Sequence, residues 1–295
     1  MIRTAFSTVA CPAWKLDEVA RTAAELGFDG VELRTFGYGS RQFVCDPMMT
    51  GARKVARTFG DLGLDVCCLA TSIALHTPIR PHVIGRTFLF DQERETRRAT
   101  RIVDFASQIE APFVRLFGFE VPEGETRHAA IRLIAQRLAT IADHARHRGV
   151  TILLENGGSF RTAAALREVL NAVDSPLAAA CYGNAVAHAA GDDFGEGVRT
   201  LGRRLRLARL KDVRGGVPVL PGDGDREAEA FVRELAGYPY FDGWLSFEWD
   251  AAWHDNLAPA DEVLPDAIRR IYGWLGGESS GKAVQAHVTE AAEVA

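Results

Sequence analysis

Cysteine is scarce and badly placed for a disulfide framework. There are five in 295 residues, an odd number, and Cys67 and Cys68 are adjacent in an apolar run. This excludes a small cross-linked secreted fold and leads us to expect reduced thiols, as in the cytoplasm. Long hydrophobic runs are missing too: no uninterrupted apolar stretch reaches the roughly 20 residues that a membrane span requires. The N-terminus carries no basic–apolar–small cleavage pattern. Positive charge is not in excess, since 34 Lys and Arg stand against 39 Asp and Glu for a net charge of −5 at pH 7. Such a chain has no general attraction to nucleic acids or anionic membranes, and neither is expected as a partner. No stretch rich in Pro, Gly and Ser divides the sequence, so a single domain is expected.

What the sequence does have is alternation. Strand-like runs cover 3–10, 29–34, 64–70, 111–119, 150–155, 176–183, 204–213 and 243–250. Between and after them lie amphipathic segments at 12–28, 51–63, 91–110, 126–149, 162–173, 194–201, 225–237 and 260–276. Eight strand–helix units with no two strands in succession predict a parallel sheet closed on itself, an α/β fold of the single (β/α)8 TIM barrel type. The barrel is expected over 1–275, followed by a small, polar and flexible C-terminal extension over 276–295. A long connection at 71–90 holds two prolines and two histidines and reads as a lid or binding loop.

Active sites of such barrels lie at the C-terminal mouth, built from the last inward residue of each strand. Those positions are Glu32, Arg115, Glu155, Cys181, Arg209, Lys211 and Glu248. The run Val150–Leu154 ends abruptly on Glu155, and a charge there is costly without a partner. Glu155 and Glu248 repeat one pattern, an apolar strand, a terminal carboxylate, then a turn. Paired carboxylates at a mouth either share a divalent cation or act as acid and base on a substrate carbon. Arg115 is read either as a contact to a substrate oxygen or as an ion pair with Glu32 or Glu155. Lys211 is read as a salt bridge to a rim acid ahead of a carbonyl-polarising role. His76 is a candidate acid/base or substrate contact, with a solvated loop histidine as the plainer reading, and His188 is a weaker candidate. Trp249 and Trp253 either floor a ring-binding pocket or pack the last loop. Cys181 is read as core filling ahead of a nucleophile. The run 199–214 holds seven basic residues, but half of it is strand, so its charges point in different directions.

The segments "LGFDGVELR", "APFVRLFGF", "GVTILLENGG", "RLKDV", "LPGDGD" and "YFDGWLSFEWD", in this order, resemble the xylose isomerase-like superfamily over residues 3–275. That superfamily includes sugar isomerases and epimerases, dehydratases and apurinic-site endonucleases. The resemblance implies a small-molecule substrate and association as a homodimer or homotetramer. It also implies a cation held by Glu, Asp, His and Glu after the fifth to eighth strands. Glu155 and Glu248 match the first and last of these. Where Asp-x-x-Asn is usual, this chain has "CYGN", with Cys181 for the Asp and Asn184 retained. Where His-x-Lys-Asp is usual it has "RLKD", with Arg209 for the His. A guanidinium has no lone pair to give a metal.

Three functional expectations follow. The first is a sugar- or polyol-type isomerase or epimerase with Glu155 and Glu248 as acid/base groups. In it Arg209 replaces a metal ligand, and Arg115, Lys211, His76, Asn184, Glu32 and Trp249 surround the substrate. The second is a metal-dependent isomerase, epimerase or dehydratase (lyase), with Mn, Zn, Co or Mg on Glu155, Glu248 and the Cys181 thiolate. The third is a non-catalytic binding or partner protein with a degenerate site.

Overall fold

The computed structural model describes residues 1–36, 43–76, 93–121 and 123–277. Its strands are β1 Arg3–Ser7, β2 Gly30–Arg34, β3 Asp65–Ala74, β4 Phe113–Phe117, β5 Thr151–Glu155, β6 Ala178–Gly183, β7 Leu205–Leu210, β8 Asp212–Arg214, β9 Val217–Val219 and β10 Trp244–Phe247. The helices are α1 Leu16–Leu26, α2 Ala52–Gly60, α3 Arg94–Gln108, α4 Arg127–His144, α5 Ala163–Val173, α6 Asn184–Ala189, α7 Phe194–Leu201, α8 Ala228–Gly237 and α9 Ala260–Trp274. Eight parallel strands close in the order β1-β10-β7-β6-β5-β4-β3-β2, the expected TIM barrel. Several helices start where a polar side chain satisfies an orphan N–H: Thr126 for α4, Thr162 for α5 and Asp193 for α7. α1 stops at Gly27, whose φ of 79° favours glycine.

Strand alternation divides the apolar residues into two layers. Phe6, Val31, Leu33, Val114, Leu116, Ile152, Leu154, Ala208, Leu210 and Phe247 join the helices in one continuous cluster. Their neighbours Ala5, Cys67, Cys68, Phe113, Leu153, Ala179, Cys181, Leu207 and Trp244 form a separate cluster inside the barrel. Trp244 is its largest member, and Gly30 makes room for it. A Cβ at Gly30 would come within 2.9 Å of the indole and 2.3 Å of the Asp65 carbonyl oxygen. This apolar plug closes the barrel beneath the residues of the mouth.

The structure corrects the expected elements at three places. β3 runs on past Ala70 to Ala74, because β4 continues to offer a ladder: Ala74 pairs with Phe117, and Leu75 N–H donates to Phe117 O at 2.8 Å. Of the long connection read at 71–90, residues 77–90 lie outside the described residues, as do residues 278–295 of the proposed extension. The strand expected over 204–213 is split, and β8 and β9 form an antiparallel hairpin outside the barrel. Its turn is Gly215-Gly216, with φ of 58° and 85°, so two strands do follow one another. Finally, α6 starts directly at the end of β6 with no loop to announce it.

The hairpin and the "LPGDGD" loop after it are organised by one carboxylate. Asp212 is buried and accepts backbone N–H donors from Val213, Gly222, Gly224 and Arg226 at 2.8–3.1 Å. A Cβ at Gly224 would lie 2.0 Å from Asp212 Oδ1, so only glycine fits. Replacing Asp212 with Ala leaves these donors without their acceptor. We expect a loss of roughly 3 kcal/mol in urea unfolding, and no folded protein from Gly224→Val.

Candidate active site

Above the plug the inward positions turn from apolar to charged. Two residues up from Gly30, Phe113, Leu153 and Leu207 stand Glu32, Arg115, Glu155 and Arg209. Arg209 lies at the centre. Its Nη1 donates to Glu155 Oε1 at 2.9 Å and to Oε2 at 3.2 Å, while its Nη2 lies 3.2 Å from Glu32 Oε1 and also contacts Glu248 Oε2. One guanidinium thus joins carboxylates from β2, β5 and the end of β10. Arg115 approaches Glu155 from beneath, with Nε 2.9 Å from Oε2 and Nη1 donating to Thr71 O at 2.7 Å.

Burial by itself would raise the Glu155 pKa, but Arg115 and then Arg209 outweigh it and hold the carboxyl below its ordinary value. Burial disfavours the Arg209 charge, yet Glu155 and Glu32 push its pKa above the usual arginine value. Both charges are therefore fixed near neutrality. Further up, Lys211 Nζ contacts Asp250 Oδ2 and lies 3.7 Å from Glu248 Oε1. Glu248 and Lys211 are the more open members of the group, with side chains 16% and 25% exposed.

Arg34 and Asp250 were not expected at the site. Each lies two residues beyond a recognised rim glutamate, Glu32 and Glu248, so the strand period carried one step further would have found both. Arg34 Nη1 donates to Thr71 O, and its Cζ lies 5.8 Å from the Phe36 ring and 5.9 Å from that of Trp253.

Other expected contacts are corrected. Glu32 and Arg115 lie beneath Arg209 and Glu155, at 0% and 1% exposure, too deep to meet a substrate; Arg115 takes the ion-pair alternative. Asn184 is fully buried and spends its amide within the fold, accepting from Lys211 N at 2.9 Å and donating to Arg226 O at 3.1 Å. Trp249 turns away from the mouth into the outer core, its Nε1 donating to Ala258 O at 2.9 Å. Trp253 is the half-exposed tryptophan, beside Phe36 and Phe43. His76 is not solvated; it is buried, with Nε2 2.9 Å from Glu125 Oε2. His188 lies beside Arg226. The basic run also disperses: Arg203 lies over Tyr240, Arg204 bonds Asn171, and Arg209 turns into the mouth.

The donors do not fit a divalent cation. Cys181 belongs to the apolar plug, and burial followed by Glu155 raises its thiol pKa well above the ordinary value, so it offers no thiolate. Between Glu155 and Glu248 sits the Arg209 guanidinium, a cation already in place. Among the described residues no group of three or more His, Cys, Asp or Glu is arranged to hold a metal. Among them, too, no helix is long and apolar enough to cross a membrane.

The profile of the xylose isomerase-like TIM barrel matches residues 20–274. The chain belongs to this family. No curated protein sequence matches it. Among solved structures, the xylose isomerase-like barrel resembles an L-ribulose 3-epimerase, with TM-score 0.75 and 17% identity over 94% of this chain and 95% of that one. It also resembles the IOLI protein with a binding zinc atom, with TM-score 0.76 and 14% identity over 95% of this chain and 100% of that one. A third is the probable 3-DHS dehydratase AsbF from Bacillus anthracis, with TM-score 0.70 and 15% identity over 91% and 98% of the two chains. At such identities the likeness is one of fold, and the family's enzymes span more than one reaction.

The charge network makes a stability prediction. In the wild type the Glu155 contribution is present above the ordinary carboxylate range and is lost as pH falls through the lowered pKa. Arg209→Gln leaves Glu32, Glu155 and Glu248 facing one another, at a cost of roughly 3–5 kcal/mol near neutrality. Losing one of its two paired cations and gaining that repulsion raises the Glu155 pKa, so the variant should gain stability as pH falls from about 8 to about 5. Urea unfolding at the two pH values should show the gap between wild type and variant narrowing on acidification. A constant gap would mean that the carboxylates do not feel Arg209.

Proposed function

We propose that this chain is an isomerase or epimerase acting on a sugar, polyol or similar oxygenated small molecule, by proton transfer at a carbon next to a carbonyl. The observation that carries this reading is the Arg209 guanidinium held between Glu155 and Glu248, a fixed cation beside a more open carboxylate. Glu248 takes the proton. The electron pair moves onto the carbonyl oxygen, and the resulting enediolate oxygen is met by N–H donors of Arg209 and Lys211. Return of the proton by Glu248 to the neighbouring carbon gives an isomer, and an epimer forms when the enediolate turns its opposite face to the protonated Glu248 before the proton returns. Glu155, kept ionised by two guanidinia, is suited to orient Arg209 more than to carry a proton. Arg115 supports Glu155 from below.

In the same proposal the catalyst is cytoplasmic, works on small molecules alone and needs no divalent ion. A dehydratase that expels a β-hydroxyl from the same enediolate is the related alternative. A metal-dependent isomerase is disfavoured by the donor set, and a non-catalytic binder is separated from both by experiment.

The test is solvent deuterium wash-in at carbons next to a carbonyl, read by mass spectrometry over a panel of aldoses, ketoses and oxo-acids. The wild type should exchange at a rate unchanged by a chelator, and Glu248→Gln should lose about 100-fold or more. Exchange abolished by the chelator would move the chain to the metal-dependent reading, and no exchange with any compound would favour the non-catalytic one.

A further inference from the structure

Among the described residues four cationic side chains gather at the mouth, and three have carboxylate partners: Arg209 with Glu32, Glu155 and Glu248, Arg115 with Glu155, and Lys211 with Asp250 and Glu248. Arg34 has none among the described residues. It is only 8% exposed, so its charge is largely removed from water. Its Nη1 shares the Thr71 carbonyl with Arg115 Nη1. Its Nε is buried without a hydrogen-bond partner, and its Nη2 makes no hydrogen bond among the described residues. A buried guanidinium with an unused edge of two parallel N–H donors is a receptor for a planar anion.

The charges around it agree. Burial, then Arg115 and Arg209, pull the Arg34 pKa down to about 9, against weaker support from Glu155 and Glu32. Among the described residues no carboxylate forms an ion pair with this guanidinium, and Glu155 and Glu32 act on it only from further away. Its outer side is bounded by Phe36 and by the half-exposed Trp253, an apolar wall leading to solvent and suited to the carbon stem of a ligand.

We propose that Arg34 is the anion-recognising residue of the mouth, and that the substrate is a small hydroxy- or oxo-acid whose carboxylate takes the free Nε–Nη2 edge. Its oxygenated carbons then extend toward Glu248 and Lys211. The identification as a substrate rests on the proton-transfer reading above, whereas the anion recognition does not. A carboxylate is favoured over a phosphate on two counts. It matches a two-donor edge in plane, and it brings one negative charge, where a phosphate dianion brings two beside Glu32, Glu155, Glu248 and Asp250.

The experiment is calorimetric titration of the full chain with matched sets: glycerate, glycerol and glycerol 3-phosphate; gluconate, glucitol and glucitol 6-phosphate. In the wild type at least one acid should bind about 10- to 100-fold more tightly than its neutral partner. The preference should vanish in Arg34→Gln and fall part-way in Arg34→Lys, which keeps the charge but loses the fork. Thermal unfolding of both variants checks that they fold. If Arg34→Gln does not, Arg34→Lys and the shift of the wild-type Arg34 Nε–Hε resonance on adding the acid decide the matter. The proposal is overturned by no acid preference in the wild type, including no binding at all. It is equally overturned by tighter binding of the phosphates, by a preference that survives Arg34→Gln, or by a resonance that does not move. Deuterium wash-in over the panel of aldoses, ketoses and oxo-acids, with the same protein samples, separates the two readings. Arg34-dependent acid binding without exchange sinks only the proton-transfer proposal, and exchange confined to neutral sugars sinks only this one.

Discussion

One guanidinium holds the mouth of this barrel together. Arg209 reaches carboxylates delivered by β2, β5 and the end of β10, strands that are not neighbours in the barrel order. Backbone hydrogen bonds join each strand only to the next, so they say nothing about contacts across the lumen. Arg209 supplies such a contact, and it does so because a planar cation can serve several acceptors at once while remaining protonated. The arrangement is a conditional gain. Ions lose hydration when buried, and attraction among them restores that loss only where every charge is met. Three glutamates on one rim would repel one another, and Arg209 with Arg115 beneath makes their proximity tolerable.

The surroundings set the strength of these interactions. Trp244 against Gly30, with Cys67, Cys68, Phe113, Leu153 and Leu207, seals the barrel below and lowers the dielectric beneath the charged layer. Above it the network opens gradually, from Glu32 at 0% exposure to Lys211 at 25%. The deeper groups are therefore fixed in charge and place, and the upper ones remain free to meet a ligand. A guanidinium at this point differs in kind from a metal ion. It offers N–H donors and permanent charge but no open coordination position, so it can stabilise a developing oxyanion without having to hold a water molecule as a ligand. Arg34 gains meaning in this setting: among the described residues it is the mouth cation without a carboxylate partner, which is why it is proposed as the place of an external anion.

Much of this was legible in the sequence. Eight alternations of strand and helix, bounded by polar caps and glycine stops, define the barrel, and the period of two picks out Glu32, Arg115, Glu155, Arg209 and Glu248 as inward. The same rule continued would have included Arg34 and Asp250, and it would have turned Trp249 outward, since it stands one residue past an inward glutamate. Trp249 follows an inward glutamate and Asn184 keeps the last residue of the family's sixth-strand pattern, yet their side chains are committed to Ala258 O in one case and to Lys211 N and Arg226 O in the other. The β8–β9 hairpin was hidden because "RLRLARLKDV" reads as one strand, and only the capture of Asp212 by the following loop breaks it at Lys211.

The sequence by itself determined the fold and the inward direction of Glu32, Arg115, Glu155, Arg209 and Glu248. Periodicity and residue chemistry are local properties, and these features need nothing more. The tertiary structure alone decided which charges meet: that Arg209 bridges three carboxylates, that Arg115 supports Glu155 from below, and that Arg34 has no carboxylate partner among the described residues. Pairing across a closed barrel depends on how strands far apart in sequence are brought face to face, and on how far each side chain reaches once water has been excluded. No local pattern encodes either.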